Sequence, residues 1–88
     1  MTIKDVERIL EELNFNMAYC SILDRKTVRA GDGIVMFHEE GVYKVFNVER
    51  QVPYDVEEHN TEHDASKAFL KKLEESFGVW YDFSKYIQ

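Results

Sequence analysis

The sequence predicts an α+β fold of order α-β-β-β(-β)-α, an antiparallel sheet with two helices packed on one face. Three observations carry this expectation. An apolar series at helical spacing opens the chain, a second occupies residues 65 to 77, and apolar and polar side chains alternate between turn residues in the middle. With 88 residues the chain has room for one domain, 1–88, built on a two-layer core, so a deep substrate pocket would compete with that core. The composition is 44% hydrophobic and 32% charged. That is enough apolar surface to offset the entropy of ordering, which excludes a disordered chain.

Each element follows from its residues. Thr2 and Asp5 resemble a capping box, with Asp in place of the usual Glu, ahead of Ile3, Val6, Ile9, Leu10 and Leu13. The first helix is therefore expected over about residues 3 to 13, ending at Asn14. Residues 15 to 23 are rich in strand formers and read as a first strand. Turn residues fill Asp24 to Gly33, with a short strand at Thr27 to Arg29. Ile34 to His38 and Val42 to Glu49 flank Glu39-Glu40-Gly41, a hairpin with a short bulged turn. In Val52 to Glu57, apolar Val52, Tyr54 and Val56 alternate with Pro53, Asp55 and Glu57. Pro53 gives no ladder hydrogen bond, so the segment is either no strand or an edge strand. Thr61 and Asp64 repeat the cap pattern before Ala65, Ala68, Phe69, Leu73 and Phe77. Gly78 is placed to end this helix as a left-handed residue, with Val79 folding back on Leu73. The tail holds Trp80, Tyr81, Phe83 and Tyr86. Such a tail closes the core or supplies an exposed contact patch, and the sequence leaves both open.

Charge bounds the partners. The net charge is −6, and residues 49 to 64 hold six acidic and one basic residue, −5 of that total. Phosphate backbones and anionic lipid repel such a chain, so no direct nucleic-acid or membrane binding is expected, and a basic protein partner is favoured. No apolar run reaches the roughly 18 residues of a membrane span, and the first residues are neither a signal nor a transit peptide, so the expected compartment is the cytoplasm. The single cysteine, Cys20, suits a reducing compartment and reads as a packed thiol.

Candidate chemistry is sparse. His59-Asn60-Thr61-Glu62-His63 matches the H-x-x-E-H zinc motif of inverzincin proteases, which needs both histidines on one helix. Thr61 is the better helix cap, which leaves His59 outside. A metal-dependent hydrolase through His59 and His63 is thus an alternative, and the expectation is no metal, no cofactor and no enzyme. Cys20 and Ser21 lack a nucleophile-elbow context, and Gly31-Asp32-Gly33 is a turn rather than a phosphate cradle. The element order is shared with double-stranded-RNA-binding domains, but the second helix here opens Glu62-His63-Asp64, the wrong sign for phosphates.

The run from Val42 to Leu73, a strand followed by Asn60-Thr61-Glu62-His63-Asp64-Ala65-Ser66-Lys67-Ala68-Phe69-Leu70, is similar to small immunity proteins of bacterial polymorphic toxin systems. Many of these are acidic because their toxins are basic. The resemblance covers about a third of the chain, rests mostly on a helix start, and supplies no binding residues. It implies an inhibitor that binds a basic toxin. From the residues themselves, the expected interface comprises Asp55, Glu57, Glu58, Glu62 and Asp64 with aromatic anchors from Tyr54, Trp80 and Tyr81. The competing expectation is a small accessory or regulatory protein, such as one from a phage, whose acidic face confers only solubility. The oligomeric state is not legible.

Overall fold

The computed structural model describes residues 1–87. Helix α1 (Ile3–Glu12) begins with a complete capping box, Thr2 Oγ1 accepting from the Asp5 N–H and Asp5 Oδ2 from the Thr2 N–H. Asp5 therefore does the work of the longer Glu. At the other end Asn14 takes a left-handed φ of 57°, and the Asn14 and Phe15 N–H groups bond Glu11 O and Leu10 O. This is a Schellman motif, which ends the helix at the predicted residue.

Four strands follow, β1 (Cys20–Ile22), β2 (Gly33–Glu39), β3 (Val42–Glu49) and β4 (Val52–His59), ordered β1-β2-β3-β4 in one sheet. The predicted first strand is shorter than expected. Asn16 Oδ1 accepts from the Ala18 N–H and caps a 3-10 turn at Met17–Tyr19, leaving three residues for β1. The sheet is also mixed rather than wholly antiparallel, because β1 runs parallel to β2. Residues 23 to 32 form the crossover that such a pairing requires. The expected strand at Thr27 to Arg29 is absent. Instead Val28 is buried against Val35, Phe46 and Val48 on the sheet face away from the helices, and Thr27 hydrogen-bonds Gln51 by its side chain. Gly33 opens β2 where a Cβ would lie 2.0 Å from the Tyr19 carbonyl oxygen, so only glycine lets the chain pass there.

The β2–β3 hairpin forms at the predicted place without a bulge. Glu39 pairs directly with Val42, and Glu40 and Gly41 take φ of 53° and 81°, a two-residue turn of the I′ kind. Arg50 and Gln51, with φ of 51° and 69°, turn the chain between β3 and β4. Neither is a residue this turn prefers. Their N–H groups are held from outside, Arg50 N–H by Asp32 Oδ1 at 2.8 Å and Gln51 N–H by Gly31 O at 3.0 Å. The irregularity lies further along, where Phe46 faces both Asp55 and Val56, and Asp55 has a φ of 52°. As Pro53 demanded, β4 is an edge strand.

Helix α2 (Glu62–Phe77) is capped by Thr61, whose Oγ1 accepts from the Asp64 N–H. Both helices pack on one face: Val6, Ile9 and Leu10 share a core with Ala65, Phe69, Leu70 and Leu73 over the inward residues Ile34, Met36 and Val45. Gly78 is right-handed (φ −61°, ψ −17°) rather than left-handed, and its N–H still bonds Glu74 O. The backbone turns only at Trp80 and Tyr81, whose N–H groups bond Phe77 O, so Val79 points to solvent instead of folding on Leu73. The tail is partly core and partly exposed. Phe83 is buried beside Phe15, while Val79 and Trp80 are strongly exposed.

Candidate functional site

The segment from β4 into α2 carries most of the residues that sequence singled out, and strand alternation sorts them. Glu57 and His59 pair with Val45 and Tyr43, whose side chains belong to the helix-side core, while Glu58 lies opposite Lys44 on the other face. Glu57 is thereby turned toward α2. One carboxylate oxygen lies 3.3 Å from Lys72 Nζ and the other 3.2 Å from His59 Nε2. Lys72 also donates to Asn47 Oδ1 at 2.9 Å. Only 7% of the Lys72 side chain is exposed against 48% for Glu57, so the ammonium depends on its partners more than the carboxylate does.

Glu62 is likewise occupied. Its Oε2 accepts from the Ile3 N–H at 2.7 Å, which ties the start of α2 to the start of α1. Tyr81 leans on Phe15 with ring centroids 4.7 Å apart, and its hydroxyl accepts from the Asn16 N–H. These three residues hold the fold together. The other five, Tyr54, Asp55, Glu58, Asp64 and Trp80, are exposed, and among the described residues Asp55, Glu58 and Asp64 form no ion pair.

Strand β4 is open over almost its whole length. Val52, Tyr54 and Val56 are 62%, 45% and 53% exposed, an unusual density of apolar surface on an unpaired edge. Tyr54 borders a shallow groove with Ser76 and Phe77 at the end of α2, from which Val79 and Trp80 project. A second groove, between β4 and α2, brings Lys67, Lys71 and Lys72 beside Glu57, Asp64 and Glu75. The acidic character of residues 49 to 64 is thus partly offset by α2 on this side. Sequence could have indicated Lys72: it occupies the inward stripe of α2 with Ala65, Phe69 and Leu73, and Asn47 interrupts the inward series Tyr43, Val45 of β3.

The histidines do not meet as the zinc motif requires. His59 ends β4, whereas His63 is the second residue of α2 and accepts from the Met1 amino group. His38 on β2 stacks on Tyr43 of β3, centroids 4.2 Å apart, so β3 stands between it and His59 on β4. Among the described residues no three His, Cys, Asp or Glu side chains are grouped to hold a metal. Burial pushes the Cys20 thiol up to about 12, against a weaker opposing pull from Arg29, and Ser21 Oγ is engaged with the Arg25 backbone. Among the described residues no helix is long and apolar enough to cross a membrane.

Fold and site together define an α+β domain with a four-stranded mixed sheet and one open, partly apolar edge. No protein-family model, curated protein or solved structure matches the chain.

Proposed function

We propose that this is a non-enzymatic protein-binding module whose interface is the exposed edge strand β4. The observation that carries the reading is the combination, on one unpaired strand, of the exposed apolar side chains Val52, Tyr54 and Val56 with the unpaired carboxylates Asp55 and Glu58. An open edge offers main-chain hydrogen bonds to an added strand, and side chains on alternate positions supply selectivity. Pro53, the irregularity at Asp55 and the carboxylates discourage self-pairing, since a second copy would set acid against acid. A basic partner segment meets no such repulsion. The resemblance to immunity proteins points to a toxin as that partner, with the module as its inhibitor.

The test is recovery of partner from the native cell by wild type and by a variant carrying Asp55→Asn with Glu58→Gln, which removes both charges without setting a lysine opposite Lys44. Asn tolerates the left-handed backbone at position 55, and among the described residues neither carboxylate forms an ion pair, so the fold is expected to persist. Loss of a basic protein from the variant supports the reading. Equal recovery of the same protein by both ends it and leaves the accessory-protein reading.

A further inference from the structure

A cleft of about 470 Å³ lies between α1, the N-terminal part of α2 and residues 85–87, and no β4 residue lines it. Its volume is within the roughly 300–1,000 Å³ typical of small-molecule sites. Its chemistry runs against the rest of the molecule. On a chain of net charge −6, Arg8, Lys67 and Lys85 converge here from three separate parts of the sequence.

Asp5 is the only carboxylate among the described lining residues, and its oxygen is engaged by the Thr2 N–H. Lys67 and Lys85 form no ion pair among the described residues, and the Arg8 contacts to Asp5 and Glu12 are loose, 4.0 and 3.8 Å. Met1, Tyr86 and Ile87, each partly exposed, form an apolar floor above the buried Ile9 and Leu70. Cations around an apolar floor complement a molecule with a charged end and a greasy body. Water alone solvates such a floor poorly, and chloride or phosphate would leave it uncovered.

We infer that this cleft is a binding site for a small organic carboxylate with an apolar body, its carboxylate among Arg8, Lys67 and Lys85 and its body on Met1, Tyr86 and Ile87. The site shares Lys67 and Ile87 with the groove beside β4 but uses none of the side chains Val52, Tyr54, Asp55, Val56 and Glu58 of the proposed interface. Because the cations are solvent-facing, each contributes modestly, and neutralising one weakens binding roughly two- to fivefold, as for exposed ion pairs. Affinity also falls with added salt.

The experiment is a titration of the full chain, followed by amide chemical shifts, with phenylacetate and with its neutral analogue phenylacetamide. Phenylacetate is expected to cause saturable shifts in residues 5–9, 63–70 and 85–87, and phenylacetamide much weaker ones. A Lys67→Gln/Lys85→Gln variant, altered only at side chains that form no ion pair among the described residues, is expected to weaken phenylacetate binding about fourfold or more while keeping the wild-type spectrum elsewhere. No saturable shift up to about 20 mM phenylacetate would refute the site. So would equal binding of the amide, undiminished binding by the variant, or shifts that sodium chloride reproduces.

Discussion

Replacing Glu57 by Ala is expected to cost more stability than replacing Lys72 by Met, although both changes break the same ion pair. The Lys72 ammonium is nearly buried and has two partners, Glu57 at 3.3 Å and Asn47 at 2.9 Å, whereas half of Glu57 is in water. Breaking a fully buried pair by removing one member costs about 3–5 kcal/mol, since the other charge is left uncompensated. Here the carboxylate is half exposed, so solvent already screens the pair and the loss on Glu57→Ala scales down to about 1–2 kcal/mol. Lys72→Met removes the charge that needs compensating and fills similar space with apolar atoms. It strands only the Asn47 carbonyl, at about 0–1 kcal/mol. The double variant should match Lys72→Met alone within about 0.5 kcal/mol, because Glu57 has no buried charge left to serve. Urea unfolding of the four proteins at neutral pH, with a common slope, measures all of these. A Glu57→Ala cost below about 0.3 kcal/mol, or a Lys72→Met cost exceeding it, would refute the assignment of Glu57 as the counter-ion of a buried lysine.

Gly33→Ala should destabilise by about 2–4 kcal/mol, because the new methyl meets the Tyr19 carbonyl backbone rather than a yielding side chain, and chemical denaturation reads this directly. Cys20 should react with iodoacetamide at pH 8 on the order of a thousandfold more slowly in the native state than in urea, since its thiol is pushed up to about 12; a native rate near that of a free thiol would contradict the packing. Thr2→Ala should cost about 1 kcal/mol, read by thermal melting, through loss of the cap on α1. The Thr2 hydrogen bonds hold the folded Asp5 carboxyl below its usual range. Its stabilising contribution is therefore complete above the ordinary aspartate value of about 3.9 and is lost as pH falls through the lower folded one. Thr2→Ala keeps the backbone N–H, the larger cause of the lowering, so carbon-detected titration of Asp5 should show only a partial return toward the ordinary range.

What was legible in the sequence was what short-range chemistry decides. Thr2 and Asp5, Thr61 and Asp64, and the Asn14 stop act over a few residues, and the structure has all of them. The β2–β3 hairpin and the edge position of the Pro53 strand were readable for the same reason. The parallel direction of β1 was not, because it is decided by Val28 finding a hole among Val35, Phe46 and Val48, far from β1 in sequence. Gly78 misled because the helix end is settled by how Phe83 and Tyr81 return to Phe15, not by the glycine itself. In the candidate site, charge counting located the acidic segment but could not tell Glu57 and Glu62, which serve Lys72 and Ile3, from Asp55 and Glu58, which do not. Only the pleat and the neighbouring helix separate them.

The turn at Arg50 and Gln51 has a consequence for how β4 comes to exist at all. A hairpin closed by Asn-Gly can form early and alone, since the two residues favour positive φ unaided. Arg-Gln does not, and its two N–H groups are fixed by Asp32 and Gly31, which belong to the crossover between β1 and β2. The strand that presents the open edge thus takes its register from a segment that must first cross the opposite side of the sheet. Docking of β4 is expected to come late in folding, after this long-range closure, and fluctuations that lift the crossover should loosen the edge strand with it.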